Sequence, residues 1–80
     1  MHELGILRHI AGIVERVADK NMIKAISSIT LEIGAESGIV PRYLNKLFPL
    51  VAEAIPVLEN AKLVVQTVAG NGLVIKEIRY

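Results

Sequence analysis

The 80-residue chain contains no cysteine and no tryptophan, and only one phenylalanine and two tyrosines. Without thiols it forms neither a disulfide nor a thiolate zinc site, so no such staple supports a domain this small. The apolar residues, 52% of the chain, must therefore supply the core. They are spread along the sequence, and no stretch approaches the ~18–20 uncharged apolar residues of a membrane span. Glu3 and Arg8 interrupt the first apolar run, so no secretory signal is read there. A net charge of +1 with both signs interspersed gives no basic face, and the scarce aromatics leave little for base stacking. The expectation is one soluble cytoplasmic domain, residues 1–80, with neither nucleic acid nor membrane as a partner.

Catalytic patterns are missing too. Ser27, Ser28 and Ser37 have no nearby His or Asp in the arrangement of an activated nucleophile. The glycines of Gly70-Asn71-Gly72 lack a following Lys-Ser/Thr and precede a strand pattern, so they are no phosphate loop. The chain is not expected to be an enzyme.

What is present reads as five elements. Residues 4–18 form an amphipathic helix, with Ile6, Ile10, Ile13 and Val17 at helical spacing and Leu7 and Val14 widening the stripe. Arg8, Glu15 and Asp19 lie opposite, His9 lies at the boundary, and Asn21 suits a left-handed cap. Residues 24–33 read as a strand, clearest in the alternation Ile29-Thr30-Leu31-Glu32-Ile33, with a bulge at Ser27-Ser28 to bring Ile26 into phase. Residues 35–40 form a loop. Pro41 opens a second helix whose stripe is Leu44, Leu47, Phe48, Val51 and Ile55, and Pro56 closes it. Pro49 falls inside that stripe, where proline costs ~3 kcal/mol or forces a kink. The stripe stays in phase across it, which predicts one helix bent near residues 45–49. Residues 61–68 and 73–80 are strands, and the Asn71-Gly72 pair between them predicts a type I′ hairpin. The strand-helix-strand unit favours parallel pairing of the first two strands. The predicted fold is α+β, two helices packed on one face of a mixed three-stranded sheet in the order α-β-α-β-β.

One place offers a metal site. In Met1-His2-Glu3 a free terminal amine, the backbone nitrogen of His2 and its imidazole can close fused chelate rings around one cation. The backbone nitrogen or the carboxylate of Glu3 completes a four-coordinate plane. Nitrogen and oxygen donors in that geometry suit Ni(II) or Cu(II). Alternatively, His2 is an unordered terminal residue and Glu3 an acid placed for the helix macrodipole. His9 lies two helical turns from His2, ~10 Å along the axis, and reads as a boundary residue.

Met1-His2-Glu3-Leu4, Leu31-Glu32-Ile33-Gly34, Glu36-Ser37-Gly38 with Val40-Pro41, Asn60-Ala61-Lys62-Leu63 and Ile75-Lys76-Glu77-Ile78 together resemble the HypA family, accessory proteins for nickel insertion into hydrogenase and sometimes urease. Met1-His2-Glu3-Leu4 looks like the family's opening. Leu31-Glu32-Ile33-Gly34, then Glu36-Ser37-Gly38 and Val40-Pro41, resemble its strand end and the loop into the second helix. Asn60-Ala61-Lys62-Leu63 and Ile75-Lys76-Glu77-Ile78 resemble its later strands. The resemblance implies that His2, beside the amine and with Glu3 adjacent, carries nickel ligands. It further implies a maturation GTPase and a hydrogenase large subunit as partners.

Three departures stand out, one of them Pro49, which falls where the family has ordinary helix formers. Family members carry a zinc ribbon with paired CxxC motifs between the last two strands; here a tight turn at 69–72 takes its place, so nickel and no zinc is expected. Some members also place an acid in the loop before the second helix, where Gly38-Ile39-Val40-Pro41 offers no carboxylate. The leading expectation is a nickel metallochaperone for [NiFe]-hydrogenase maturation. The alternative is a zinc-less interaction module, or a truncated form without delivery activity, that uses an exposed strand edge to pair with a partner or as a homodimer.

Overall fold

The computed structural model describes residues 2–80. The elements follow the order α1 (Glu3–Lys20), β1 (Ser28–Gly34), α2 (Pro41–Ala52), a short 3₁₀ turn (Pro56–Leu58), β2 (Lys62–Val68) and β3 (Leu73–Arg79). Both helices pack on one face of a three-stranded sheet, the architecture expected from the sequence.

β1 is central. It pairs in parallel with β2 from Ser28↔Lys62 to Gly34↔Val68, and antiparallel with β3 from Ser28↔Arg79 to Ile33↔Leu73. The sheet order is β2-β1-β3, so the expected hairpin does not exist: β2 and β3 are separated by β1. Residues 69–72 cross the end of the central strand, a span of roughly 9–10 Å between the outer strands. Asn71 does not take the positive φ that a type I′ turn requires; only Gly70 does in this segment, at 102°. The crossing is held by β1 itself. Gly34 donates to Gly72 O at 2.7 Å, Ala35 to Val68 O at 2.7 Å and Glu36 to Gly70 O at 2.8 Å.

The alternation of β1 gives its burial. Ile29, Leu31 and Ile33 face the helices and are fully buried, joined by Ile26 and Leu58. α1 contributes Leu7, Ile10, Ala11, Val14 and Ala18. This stripe is rotated from the expected one: Ile6 and Ile13 are only half-buried and Val17 is exposed. Ala11 and Ala18 take inner positions on α1, and α2 contributes Leu44, Phe48, Val51 and Ala52. α2 runs as one helix through Pro49, which lies on its exposed side, and ends before Ile55.

Three local expectations are corrected. The bulge is on β3, where Lys76 is passed over between Thr30↔Glu77 and Leu31↔Ile75, and not at Ser27-Ser28. β1 begins at Ser28, four residues later than expected from the strand reading at 24, because Ile26 packs into the core outside the ladder. At the end of α1 the left-handed residue is Met22 (φ 58°), while Asn21 keeps φ −104° and donates its side-chain amide to Val17 O at 2.8 Å. Ile23 N–H to Ala18 O and Met22 N–H to Asp19 O complete a Schellman cap.

Candidate metal site

Chain direction and helix chemistry together set the N-terminal geometry. α1 begins at Glu3, leaving His2 as its N-cap with an exposed side chain. The carbonyl of His2 enters the helix by accepting Ile6 N–H at 3.1 Å. The N–H groups of the first helical residues have no intrahelical acceptor. Removing a proton from the backbone nitrogen of His2 therefore breaks no helical hydrogen bond, and removing that of Glu3 gives up only its contact with its own carboxylate. The terminal amine belongs to Met1, which lies outside the described residues.

Glu3 points inward. Among the described residues it is one of two buried polar ones, and its Oε2 accepts the backbone N–H of Val40 at 3.1 Å. That N–H, with Glu3's own backbone N–H beside it, holds the carboxyl below the ordinary carboxylate range against the opposing effect of desolvation. Val40 is the N-cap of α2 and has no side-chain cap of its own, so the Glu3 carboxylate sits at the positive ends of both helices. The loop that presents Val40 is shaped by Gly38 at φ 78° and by Ile39 N–H donating to Ser37 Oγ at 3.2 Å. Nothing in the residue pattern marks Val40, because a backbone N–H has no sequence signature.

His9 is exposed on the same side of α1 as His2. Both border a shallow depression walled by Ile6, Ile10, Ile39 and Leu73. Two turns of helix separate them, ~10 Å along the axis, consistent with His9 as a boundary residue. Among the described residues, no group of three or more His, Asp or Glu side chains is placed to hold a metal. A cation at this end would have to be held largely by backbone nitrogens and one imidazole. No helix among those residues is long and apolar enough to cross a membrane.

A family model described as "Hydrogenase/urease nickel incorporation, metallochaperone, hypA" matches residues 1–76. The hydrogenase maturation factor HypA of Trichodesmium erythraeum is 39% identical over 72 residues, covering 90% of this chain and 60% of that protein. The HypA of Chloroflexus aggregans is 38% identical over 68 residues, covering 85% of this chain and 59% of that protein. The chain thus spans about three-fifths of the length of these relatives. In structure it is similar to the Ni metallochaperone HypA of Helicobacter pylori, with a TM-score of 0.79 at 24% identity over 85% of this chain and 58% of that one. A second HypA solution structure matches with a TM-score of 0.73 at 19% identity, covering 96% of this chain and 71% of that one. At those identities the structures speak for the fold, and the match along residues 1–76 speaks for the lineage: the chain belongs to the HypA family.

Proposed function

We propose that the chain is a nickel-binding accessory protein that receives Ni(II) at its N-terminus and passes it on during [NiFe]-hydrogenase maturation. The observation that carries this reading is the placement of His2, exposed at the N-cap of α1 in a chain whose family match begins at residue 1. The ligands are the terminal amine, the backbone nitrogen and imidazole of His2, and a donor from Glu3. The Glu3 carboxylate is committed to Val40, which favours its backbone nitrogen as the fourth donor. With two backbone nitrogens deprotonated, the complex of a divalent cation is neutral, so the positive end of α1 does not oppose it. The four nitrogens form the plane that Ni(II) accepts.

An exposed chelate suits transfer, since its ligands can be exchanged one at a time. The chain acts as a carrier and not a catalyst. In this reading nickel passes between the cytoplasmic maturation GTPase and the hydrogenase large subunit. We read the crossing at 69–72 as taking the place of the zinc ribbon that the family resemblance implies, a reading that gives this chain a nickel role without zinc.

The test is a nickel titration of tag-free protein by calorimetry and visible absorption. The parent takes up one Ni(II) with a square-planar spectrum, and affinity rises with pH because the donors must lose protons. His2→Ala and N-terminal acetylation each abolish uptake. Undiminished binding by His2→Ala would overturn the assignment.

A further inference from the structure

The two edges of the sheet are built differently. β3 carries a bulge at Lys76 and three charged residues, Lys76, Glu77 and Arg79, with Arg79 Nε donating to Glu77 Oε1 at 2.9 Å. Bulges and charges are the devices that keep an edge strand from pairing with another chain. β2 has neither. It runs in unbroken register along β1, its seven residues are Lys62-Leu63-Val64-Val65-Gln66-Thr67-Val68, and its one charge stands at the first position. Val64 and Val68 are 42% and 39% exposed on the face away from the helices.

The ladder hydrogen bonds fix which backbone groups of β2 are left over. Lys62 N–H donates to Ser27 O at 2.9 Å, and Val68 O accepts from Ala35 N–H at 2.7 Å. In a parallel ladder these two bonds place residues 62, 64, 66 and 68 with both backbone groups toward β1. Leu63, Val65 and Thr67 then turn their N–H and C=O groups outward along the open edge.

We propose that this edge pairs with the same edge of a second copy, antiparallel and centred on Val65. The register is dictated by the leftover groups. A two-fold axis at Val65 sets Val65 against Val65 of the second copy, and Leu63 against its Thr67 on either side. All three are residues with outward backbone groups, so each pair exchanges two hydrogen bonds. The intervening pairs are Val64 with Gln66 and Lys62 with Val68 of the second copy. No like charges meet. The product is a continuous six-stranded sheet whose two outer edges are both β3, so assembly stops at two.

Sedimentation equilibrium over a concentration series tests this, with the parent giving a species of twice 8.7 kDa. Thr67→Pro removes one outward donor without touching a bond to β1, and it converts the dimer to monomer; circular dichroism verifies that it stays folded. Val68 supplies the sharper test because it faces Lys62 of the second copy. Val68→Lys creates two like-charge pairs and Val68→Glu two opposite-charge pairs, so the dissociation constant of the first exceeds that of the second by about tenfold or more at low salt. A simple apolar contact would be weakened equally by both. Equal weakening, a dimer indifferent to Thr67→Pro and Val68→Lys, or a parent monomeric at every concentration would each overturn the proposal. The last would leave the edge to an extended segment of another protein.

Discussion

Oε2 of Glu3 accepts the backbone N–H of Val40 at 3.1 Å, joining residues 37 apart in sequence. The bond ties the first turn of α1, next to the candidate nickel ligands, to the start of α2. The same bond, with Glu3's own backbone N–H, holds the carboxyl below the ordinary carboxylate range.

That bias gives a pH signature. The folded-state pKa of Glu3 lies below its unfolded value, so the carboxylate adds stability above the unfolded pKa and loses it as pH falls through the folded one. Glu3→Gln keeps an acceptor for Val40 but removes the charge. In urea denaturation the gap between parent and Glu3→Gln should stay constant from neutrality to about pH 5 and close below the carboxylate range. A gap that persisted unchanged to the acid limit would show that the charge contributes nothing.

Gly34 makes a second prediction, because the crossing segment lies directly on it. A Cβ at Gly34 would collide with the carbonyl of Gly70 and stand 2.7 Å from Asn71 Cα. These are backbone atoms tied to β1 by three hydrogen bonds, so they cannot swing aside as a side chain would. Gly34→Ala should destabilise by roughly 1–3 kcal/mol in chemical denaturation. Gly72→Ala is the control: nothing lies within 4 Å of its Cβ position, and its stability should match the parent's.

The same segment shows where the sequence stops being informative. The parallel pairing of β1 with β2, the two-helix layer and the α+β class follow from periodicity and element order, which are properties of the chain itself. The Asn71-Gly72 signal is equally local, and it cannot register that Ile29–Ile33 lies between the strands it joins. β1 takes the centre, where Ile29, Leu31 and Ile33 are fully buried on one face, and that competition is decided in three dimensions. On α1 the apolar residues surround more than half the helix, so pattern alone could not show that Ala11 and Ala18 face inward while Val17 does not. The sequence marks His2 and Glu3 only as candidates for metal chemistry, and it gives no sign of the Val40 N–H that turns the Glu3 carboxylate inward.

Met22 yields a third prediction. It occupies the left-handed C′ position of the Schellman cap with a side chain 84% exposed, so the side chain contributes little packing to offset the strain. A left-handed conformation costs a non-glycine residue roughly 1–2 kcal/mol, and glycine returns part of that in unfolded-state entropy. Met22→Gly should raise stability by about 0.5–1 kcal/mol, read as a higher urea midpoint at unchanged slope.

Pro49 carries the last. It lies within α2, eight residues past the opening Pro41, and deprives the carbonyl of Asn45 of its normal i+4 donor. Its side chain is on the exposed face, so no core contact depends on it. Interior proline is ~3 kcal/mol worse than alanine in a helix, while its stiffening of the unfolded chain returns at most about 1 kcal/mol. Pro49→Ala should therefore stabilise the fold by about 2 kcal/mol and slow amide exchange around Glu53, the residue that bonds back to position 49 at 3.1 Å. A neutral or destabilising result would mean that α2 is already distorted at Asn45 in a way that the surrounding packing requires. In that case the proline would be selected by the shape of the helix, and Leu44 and Phe48, buried on either side of Asn45, would be the contacts that demand it.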